Sequence, residues 1–162
     1  MITARGVVYG LNPSPTLSDY FTIDGVGAGT FTSNLSPLLP TTTYYLRAYA
    51  TNIVGTSFGN SNSFTTLGFP IVNTVSVVDI RLNSAQFNGN VTNDGGASVT
   101  NRGFVFDNSI NPTTSSNLIS VGNGLGSYYT TVNSLTPNLT YFVRAFATNS
   151  VGTSYGLNLS FN

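Results

Sequence analysis

The 162-residue chain contains no lysine, glutamate, histidine, cysteine or tryptophan. Without histidine, cysteine, lysine and glutamate, the usual general bases and nucleophiles are missing, so we predict that the chain is not an enzyme. The lack of cysteine excludes disulfide bonds and thiolate metal sites. Charge is scarce as well, because only 6% of the residues are charged and five arginines balance five aspartates. A net charge of zero gives no electrostatic basis for binding nucleic acid or an anionic membrane.

Long hydrophobic runs are also missing. No apolar run approaches the roughly 18 residues that a membrane-spanning helix needs, so we expect no membrane insertion. Serine, threonine, asparagine and glycine take the surface positions that lysine and glutamate usually occupy. Threonine, valine, tyrosine and phenylalanine favour strands, whereas lysine and glutamate favour helices. The composition therefore predicts an all-β chain with an uncharged polar surface.

The five aspartates offer little for catalysis or metal binding. Most of them lie in turn or strand-end contexts, where aspartate caps its own turn. Calcium needs several oxygen ligands; residues 93–94 and 107–108 are the best Asn and Asp pairs, but no acidic cluster has the spacing of a calcium loop. The glycine-rich segments 25–29 and 122–126 lack the helix and the lysine of a phosphate-binding loop. We predict no catalytic, cofactor or metal site.

The strongest positive signal is an internal repeat. Residues 43–52 (TYYLRAYATN) return 97 residues further on as residues 140–149 (TYFVRAFATN). The match runs without a gap from Thr3 and Thr100 to Phe64 and Phe161. Such a period suits one small β domain rather than a short solenoid repeat. The second copy also has roughly 30 residues, several strands' worth, that the first copy lacks.

Strand signals divide the chain into two modules. Apolar and other residues alternate with a period of two in residues 140–149, and glycine and proline separate short segments as in a sandwich. In the second copy we predict seven strands, at residues 71–79, 82–92, 99–107, 118–121, 126–134, 140–149 and 153–161. The first copy begins at the equivalent of the third strand. The prediction is an incomplete module in residues 1–67, with strands C to G, and a complete module in residues 68–162.

Two motifs resemble fibronectin type III domains. The first looks like the E–F corner and F strand of that family, in which a tyrosine ring enters the core and its hydroxyl bonds back to the loop. In the first copy it comprises Leu38, Pro40, Tyr44, Leu46, Ala48, Ala50, Asn52 and Gly55. The second motif, around Arg5-Gly6-Val7 and Arg102-Gly103-Phe104, is similar to a bacterial subgroup that occurs in large secreted or surface proteins and in structural proteins of some tailed phages. The resemblance implies two tandem fibronectin type III-like β-sandwiches, the first lacking its two N-terminal strands.

The most specific surface prediction concerns the F strand of each module. Three of its residues alternate outward in each copy, and an arginine from the neighbouring C strand is expected to join them. Arginine between aromatics suggests cation–π stacking, and exposed aromatics suggest a partner. A self-contained ladder that stiffens the sheet is the alternative. The candidate contact face comprises Arg5, Tyr45, Arg47, Tyr49, Arg102, Phe142, Arg144 and Phe146.

Three functions are compatible with these features. The resemblance implies a non-enzymatic structural or adhesive repeat module of a larger extracellular or virion-surface protein. The missing strands suggest a filament subunit that is completed by strand exchange between neighbours, although we expect those strands to lie upstream in a longer chain. Outward aromatics suggest a carbohydrate-binding accessory module of a secreted enzyme. The expected partners are neighbouring modules or subunits of the same assembly, or a surface glycan.

Overall fold

The chain folds entirely into β structure. The computed structural model describes all residues from Met1 to Asn162 and contains thirteen strands without a helix, which confirms the predicted all-β class. No helical segment is therefore available to cross a bilayer. The strands fall into two compact units, Met1–Thr66 and Leu67–Asn162.

The first unit contains one sheet. Its strand order is β2-β1-β3-β4. β4 pairs with the end of β3, and β5 pairs with the beginning of β3. All of these pairings are antiparallel. The strands are β1 (Ala4–Gly10), β2 (Tyr20–Phe21), β3 (Thr43–Thr51), β4 (Thr56–Phe58) and β5 (Asn62–Thr65).

The second unit contains two sheets. One has the order β10-β7-β6, and the other has the order β9-β8-β11-β12 with β13 also beside β11. Because β12 and β13 follow each other along one edge of β11, they are two halves of one last strand. The strands are β6 (Ile71–Val78), β7 (Ser84–Asn93), β8 (Asn101–Asp107), β9 (Asn117–Gly122), β10 (Gly126–Asn133), β11 (Tyr141–Thr148), β12 (Thr153–Tyr155) and β13 (Leu159–Phe161). This is the seven-strand sandwich that the resemblance to fibronectin type III domains predicts.

The core of the second unit lies between its two sheets and is centred on Phe87. That side chain is fully buried, and its ring meets those of Phe104, Phe106 and Phe161 edge to face at 5.4–5.8 Å. Such aromatic pairs stabilise a core beyond the area that they bury. From the facing strand β11, the inward residues Val143, Ala145 and Ala147 are all 0% exposed, as the period-two pattern predicts.

Both copies contain the predicted tyrosine corner. The Tyr44 hydroxyl accepts a hydrogen bond from the Leu39 N–H at 3.0 Å. The Tyr141 hydroxyl accepts one from the Thr136 N–H at 3.1 Å. In each case a tyrosine at the start of the F strand closes the preceding loop, so the corner is a property of the repeat.

The predicted last strand, residues 153–161, is interrupted at Gly156. A Cβ at that position would collide with Thr74 of β6. The Thr74 hydroxyl accepts a hydrogen bond from the Ala145 N–H at 2.9 Å, so a side chain from the other sheet fills the gap in the ladder. The expectation of one continuous strand is wrong, and the first unit has the same break between β4 and β5 without any counterpart of Thr74. In both units the carbonyl of the glycine at the break, Gly59 or Gly156, accepts a hydrogen bond from an arginine side chain of the F strand, so the break belongs to the repeat.

The first unit differs from the predicted set of strands C to G in one element. The equivalent of β10, residues 29–36, forms no strand. In the second unit β10 pairs with β7 along its whole length, from Gly126↔Val91 to Asn133↔Ser84. The first unit has no counterpart of β7, so this segment has no ladder to join.

Candidate functional site

The outward arginines of the F strands bind their own unit. Arg47 donates from Nε to the Gly59 carbonyl at 2.9 Å, and its guanidinium carbon lies 4.7 Å from the centre of the Phe58 ring. The second unit repeats both contacts. Arg144 donates from Nε to the Gly156 carbonyl at 2.9 Å, and its guanidinium carbon lies 4.7 Å from the centre of the Tyr155 ring. Each arginine therefore ties the middle strand of its sheet to the neighbouring edge.

The candidate contact face is partly covered by the chain itself. Tyr49 is only 4% exposed and Phe146 only 1%, so the expectation that these two rings meet solvent is wrong. The other outward residues of this face, Tyr45, Arg47, Phe142 and Arg144, are half-buried.

A loop crosses this face in the second unit. Residues 108–116 leave β8 and reach the strands on the far side of β11, where the Thr114 N–H donates to the Tyr155 hydroxyl and the Asn111 N–H donates to Asn158 Oδ1, both at 3.1 Å. In the first unit the Ser61 hydroxyl donates to the Pro13 carbonyl of the equivalent loop at 2.6 Å. Pro15 and Pro112, at matching positions in these loops, are buried.

Arg5 and Arg102 lie on the opposite side of the sheet from this face, contrary to expectation. Arg5 pairs with Ala50 and Arg102 with Ala147, and residues that pair across antiparallel strands point to the same side. Both arginines therefore lie on the inner face.

These two inner arginines hold the glycine-rich loops. Arg102 donates from Nη1 to the carbonyls of Gly124, Leu125 and Gly126 at 2.7–3.1 Å and lies 4.9 Å from the Tyr128 ring centre. Arg5 donates likewise to Gly27 and Gly29 at 3.1 and 3.3 Å. The glycine-rich loops are thus arginine-anchored elements of the fold.

Four of the aspartate side chains accept local hydrogen bonds. Asp19 accepts from the Thr16 N–H at 2.8 Å. Asp24 accepts from the hydroxyls of Thr22 and Ser33. Asp94 accepts from the Gly96 N–H, and Asp107 accepts from the Asn108 N–H. No group of three or more acidic, histidine or cysteine side chains could hold a metal ion.

The inner face of β3 in the first unit is open. Ala48 is exposed, and Leu46 and Ala50 are half-buried, whereas their counterparts on β11 are all 0% exposed. In the second unit β6 and β7 cover this face. The first unit retains a core of three buried residues, Val7, Tyr9 and Tyr44, against thirteen in the second.

A groove marks the place where a covering strand is missing. It has a volume of about 410 Å³ and is lined by residues that include Arg5, Phe31, Ala48, Ala50 and Gly59. At Gly59 an added Cβ would meet nothing closer than the Ala48 carbonyl oxygen at 3.6 Å. The equivalent position in the second unit, Gly156, is filled by Thr74. The groove is thus the empty counterpart of the Thr74 site.

Asn52 shows the same difference in its hydrogen bonds. Its Oδ1 accepts from the Val54 and Gly55 N–H groups, as Asn149 Oδ1 does from Val151 and Gly152. Asn149 Nδ2 also donates to the carbonyls of Gly68 and Asp94 at 2.8 and 2.7 Å, which belong to segments next to β6 and β7. The amide nitrogen of Asn52 has no such acceptors.

Sequence comparison finds no relative of the chain: no protein-family model matches it, and no curated protein matches it significantly. The fold is instead similar to solved structures. The FN1-FN3 domains of chicken CNTN1 are 16% identical with a TM-score of 0.42, and the match covers 98% of this chain and 52% of that one. Domains A168-A170 from titin are 20% identical with a TM-score of 0.41, and the match covers 75% and 40%. The chain therefore spans about half the length of the first and less of the second. Strand order and register define the fold independently of these likenesses.

Proposed function

We propose that the chain is a non-enzymatic structural and adhesive repeat module of a larger extracellular or virion-surface protein. The observation that carries this proposal is the exact reuse of one internal framework. Both units contain the tyrosine corner at positions 97 residues apart. At the same spacing, both contain an outer arginine bound to the last strand and an inner arginine bound to the glycine-rich loop. A scaffold benefits from repeating its framework, whereas a single catalytic or ligand site has no reason to recur.

The polar contacts support a structural role. Each outer arginine links two strands through a charge-assisted hydrogen bond, which is stronger than a neutral one. Because Tyr49 and Phe146 are buried, the outer face offers a glycan no continuous aromatic platform. We therefore propose neighbouring modules or subunits of the same assembly, rather than glycans, as the partners of this module.

A filament subunit is the second candidate, and the open inner face of the first unit favours it. An uncovered sheet face with an unpaired edge attracts a strand from another chain. Exchange of the β6–β7 hairpin alone does not complete such a filament, because each chain carries one hairpin and two faces to cover. A different segment of the neighbour would have to act as donor.

The location of the protein tests the main proposal. Antibodies raised against residues 1–162 are applied to intact source cells and to purified virions, with permeabilised cells as the control. Immunogold labelling of intact cell surfaces or of particles is the expected result. Labelling of cells only after permeabilisation, with unlabelled particles, would overturn the extracellular or virion-surface assignment.

A further inference from the structure

We propose that the open inner face of the first unit is a docking site for a two-stranded antiparallel β-hairpin with the side-chain pattern of β6–β7, supplied by polypeptide outside residues 1–162. The second unit shows the same face with its hairpin in place.

The receiving surface is equivalent in the two units. β3 and β11 share the inward sequence pattern, and each pairs with its C strand in the same register, Ala48 with Val7 and Ala145 with Phe104. In the second unit this surface is an established packing interface. Its counterpart in the first unit is also apolar, but there Ala48 is exposed and Leu46 and Ala50 are only half-buried.

The unpaired backbone defines how the incoming strand lies. β10 forms eight register pairs with β7, and residues 29–36 are its equivalent. The backbone of residues 29–36 has no strand partner on the side where β7 would lie, so one strand of the docked hairpin lies antiparallel to this segment. Backbone hydrogen bonds at such an edge supply affinity, and alternate side chains supply specificity.

Three side-chain requirements follow from the filled unit. A large apolar residue in the place of Phe87 packs against the positions of Val7, Tyr9 and Phe64. A hydroxyl in the place of Thr74 reaches the Ala48 N–H, which no side chain approaches in the first unit. A small residue lies opposite Phe31, as Gly89 does opposite Tyr128.

The β6–β7 hairpin of a second copy of this chain is not the expected occupant of the face. If β6–β7 moved from one chain to the first unit of another, it would cover one inner face and uncover the equivalent face of its own second unit, because each 162-residue chain carries a single such hairpin. The exchange therefore gains no buried apolar surface.

A fusion tests the fit. A second copy of residues 67–97 is placed directly before Met1, which reproduces the spacing of the second unit because Met1 is equivalent to Ser98. The chain has no cysteine, so Ala48→Cys introduces a single reporter thiol. We expect the fusion to slow maleimide labelling of that thiol by on the order of 100-fold, the protection of a site that reacts only after local opening.

Matched variants control the measurement. Ile53→Cys, at a 94% exposed position, should label at the same rate with and without the fusion. Ala145→Cys should stay protected in both, which reports that the second unit is folded. A fusion with aspartate at the position copied from Phe87 should leave the Ala48→Cys thiol reactive.

Hydrogen exchange of the fusion without any cysteine gives a second readout, because a thiol at position 48 could itself hinder docking. Amides in residues 29–36 should become protected relative to the 162-residue chain. The proposal is overturned if these amides stay unprotected and the thiol labels at the parental rate. It is also overturned if the 162-residue chain alone protects position 48 increasingly with concentration, since a second copy then covers the face. Neither outcome depends on where the protein is located.

Discussion

At the scale of single residues, Tyr128 shows how a polar group is accommodated in this core. Its hydroxyl donates to the carbonyls of Gly103 and Phe146 at 3.2 and 3.3 Å, and its ring lies opposite Gly89. A Cβ at Gly89 would come within 2.8 Å of the ring, so the glycine makes room for the tyrosine. Burial raises the pKa of the Tyr128 phenol well above 10, and the positive charge of Arg102 opposes this only in part.

This raised pKa predicts an alkaline loss of stability. In the unfolded chain the phenol ionises near pH 10. The neutral form therefore stabilises the fold fully below about pH 10, and this contribution is lost as the pH rises toward the higher pKa of the folded state. In denaturant titrations between about pH 9 and 12, the free energy of unfolding should fall more steeply for the parent chain than for Tyr128→Phe.

The neighbouring tyrosine provides the control. Tyr129 is 66% exposed, so Tyr129→Phe removes an exposed phenol from the same strand and is the matched variant for the loss of one tyrosine. The difference in phenolate absorbance between the parent and each variant isolates the deleted tyrosine. Identical pH profiles for Tyr128→Phe and the parent would contradict a buried, neutral phenol.

At the scale of elements, one hydroxyl of β6 joins the two sheets of the second unit, because Thr74 accepts a hydrogen bond from the Ala145 N–H of β11. Thr74→Val keeps the shape of the side chain but leaves the Ala145 N–H without an acceptor, and an unsatisfied buried donor costs about 1–3 kcal/mol. Thr74→Ser keeps the hydroxyl and should cost less. Chemical denaturation of the second unit measures both, and a loss for Thr74→Ser as large as that for Thr74→Val would contradict the hydrogen bond as the main contribution of this side chain.

The sequence predicts the strands and the inward face of β11 well because both follow from period-two alternation. It does not predict which side of β1 Arg5 faces, because Val7, Val8 and Tyr9 form a continuous apolar run with no alternation. The pairing of Arg5 with Ala50 sets its direction, and pairing is a tertiary property. The same holds for Arg102 on β8.

The sequence also does not predict that a loop crosses the outer face of each sheet. Residues 12–15 and 111–112 are recognisable as matched proline loops, but their composition does not say that they cross the sheet. Each loop contains a proline that is buried in the structure, but the sequence alone does not show that this proline is buried. The failure of residues 29–36 to form a strand has the same origin, because a strand needs a partner that local propensity does not supply.

At the scale of the whole molecule, the two units should differ in stability. The second buries thirteen core residues in its main cluster and the first buries three, and buried apolar surface dominates folding energy. Native-state hydrogen exchange should therefore show faster exchange in β1 and β3 than in β8 and β11. Positions 97 residues apart serve as matched pairs, and equal protection across those pairs would contradict the difference.

The internal bonding of the arginines also decides where a protease can act. Trypsin needs lysine or arginine, and this chain has five arginines and no lysine. Four of them lie within β1, β3, β8 and β11 and bind backbone carbonyls. The fifth, Arg81, is exposed in the turn between β6 and β7. Limited digestion of the native chain should cut first after Arg81. The cut would divide the β6–β7 hairpin, so that two strands from separate fragments would cover the inner face of the second unit.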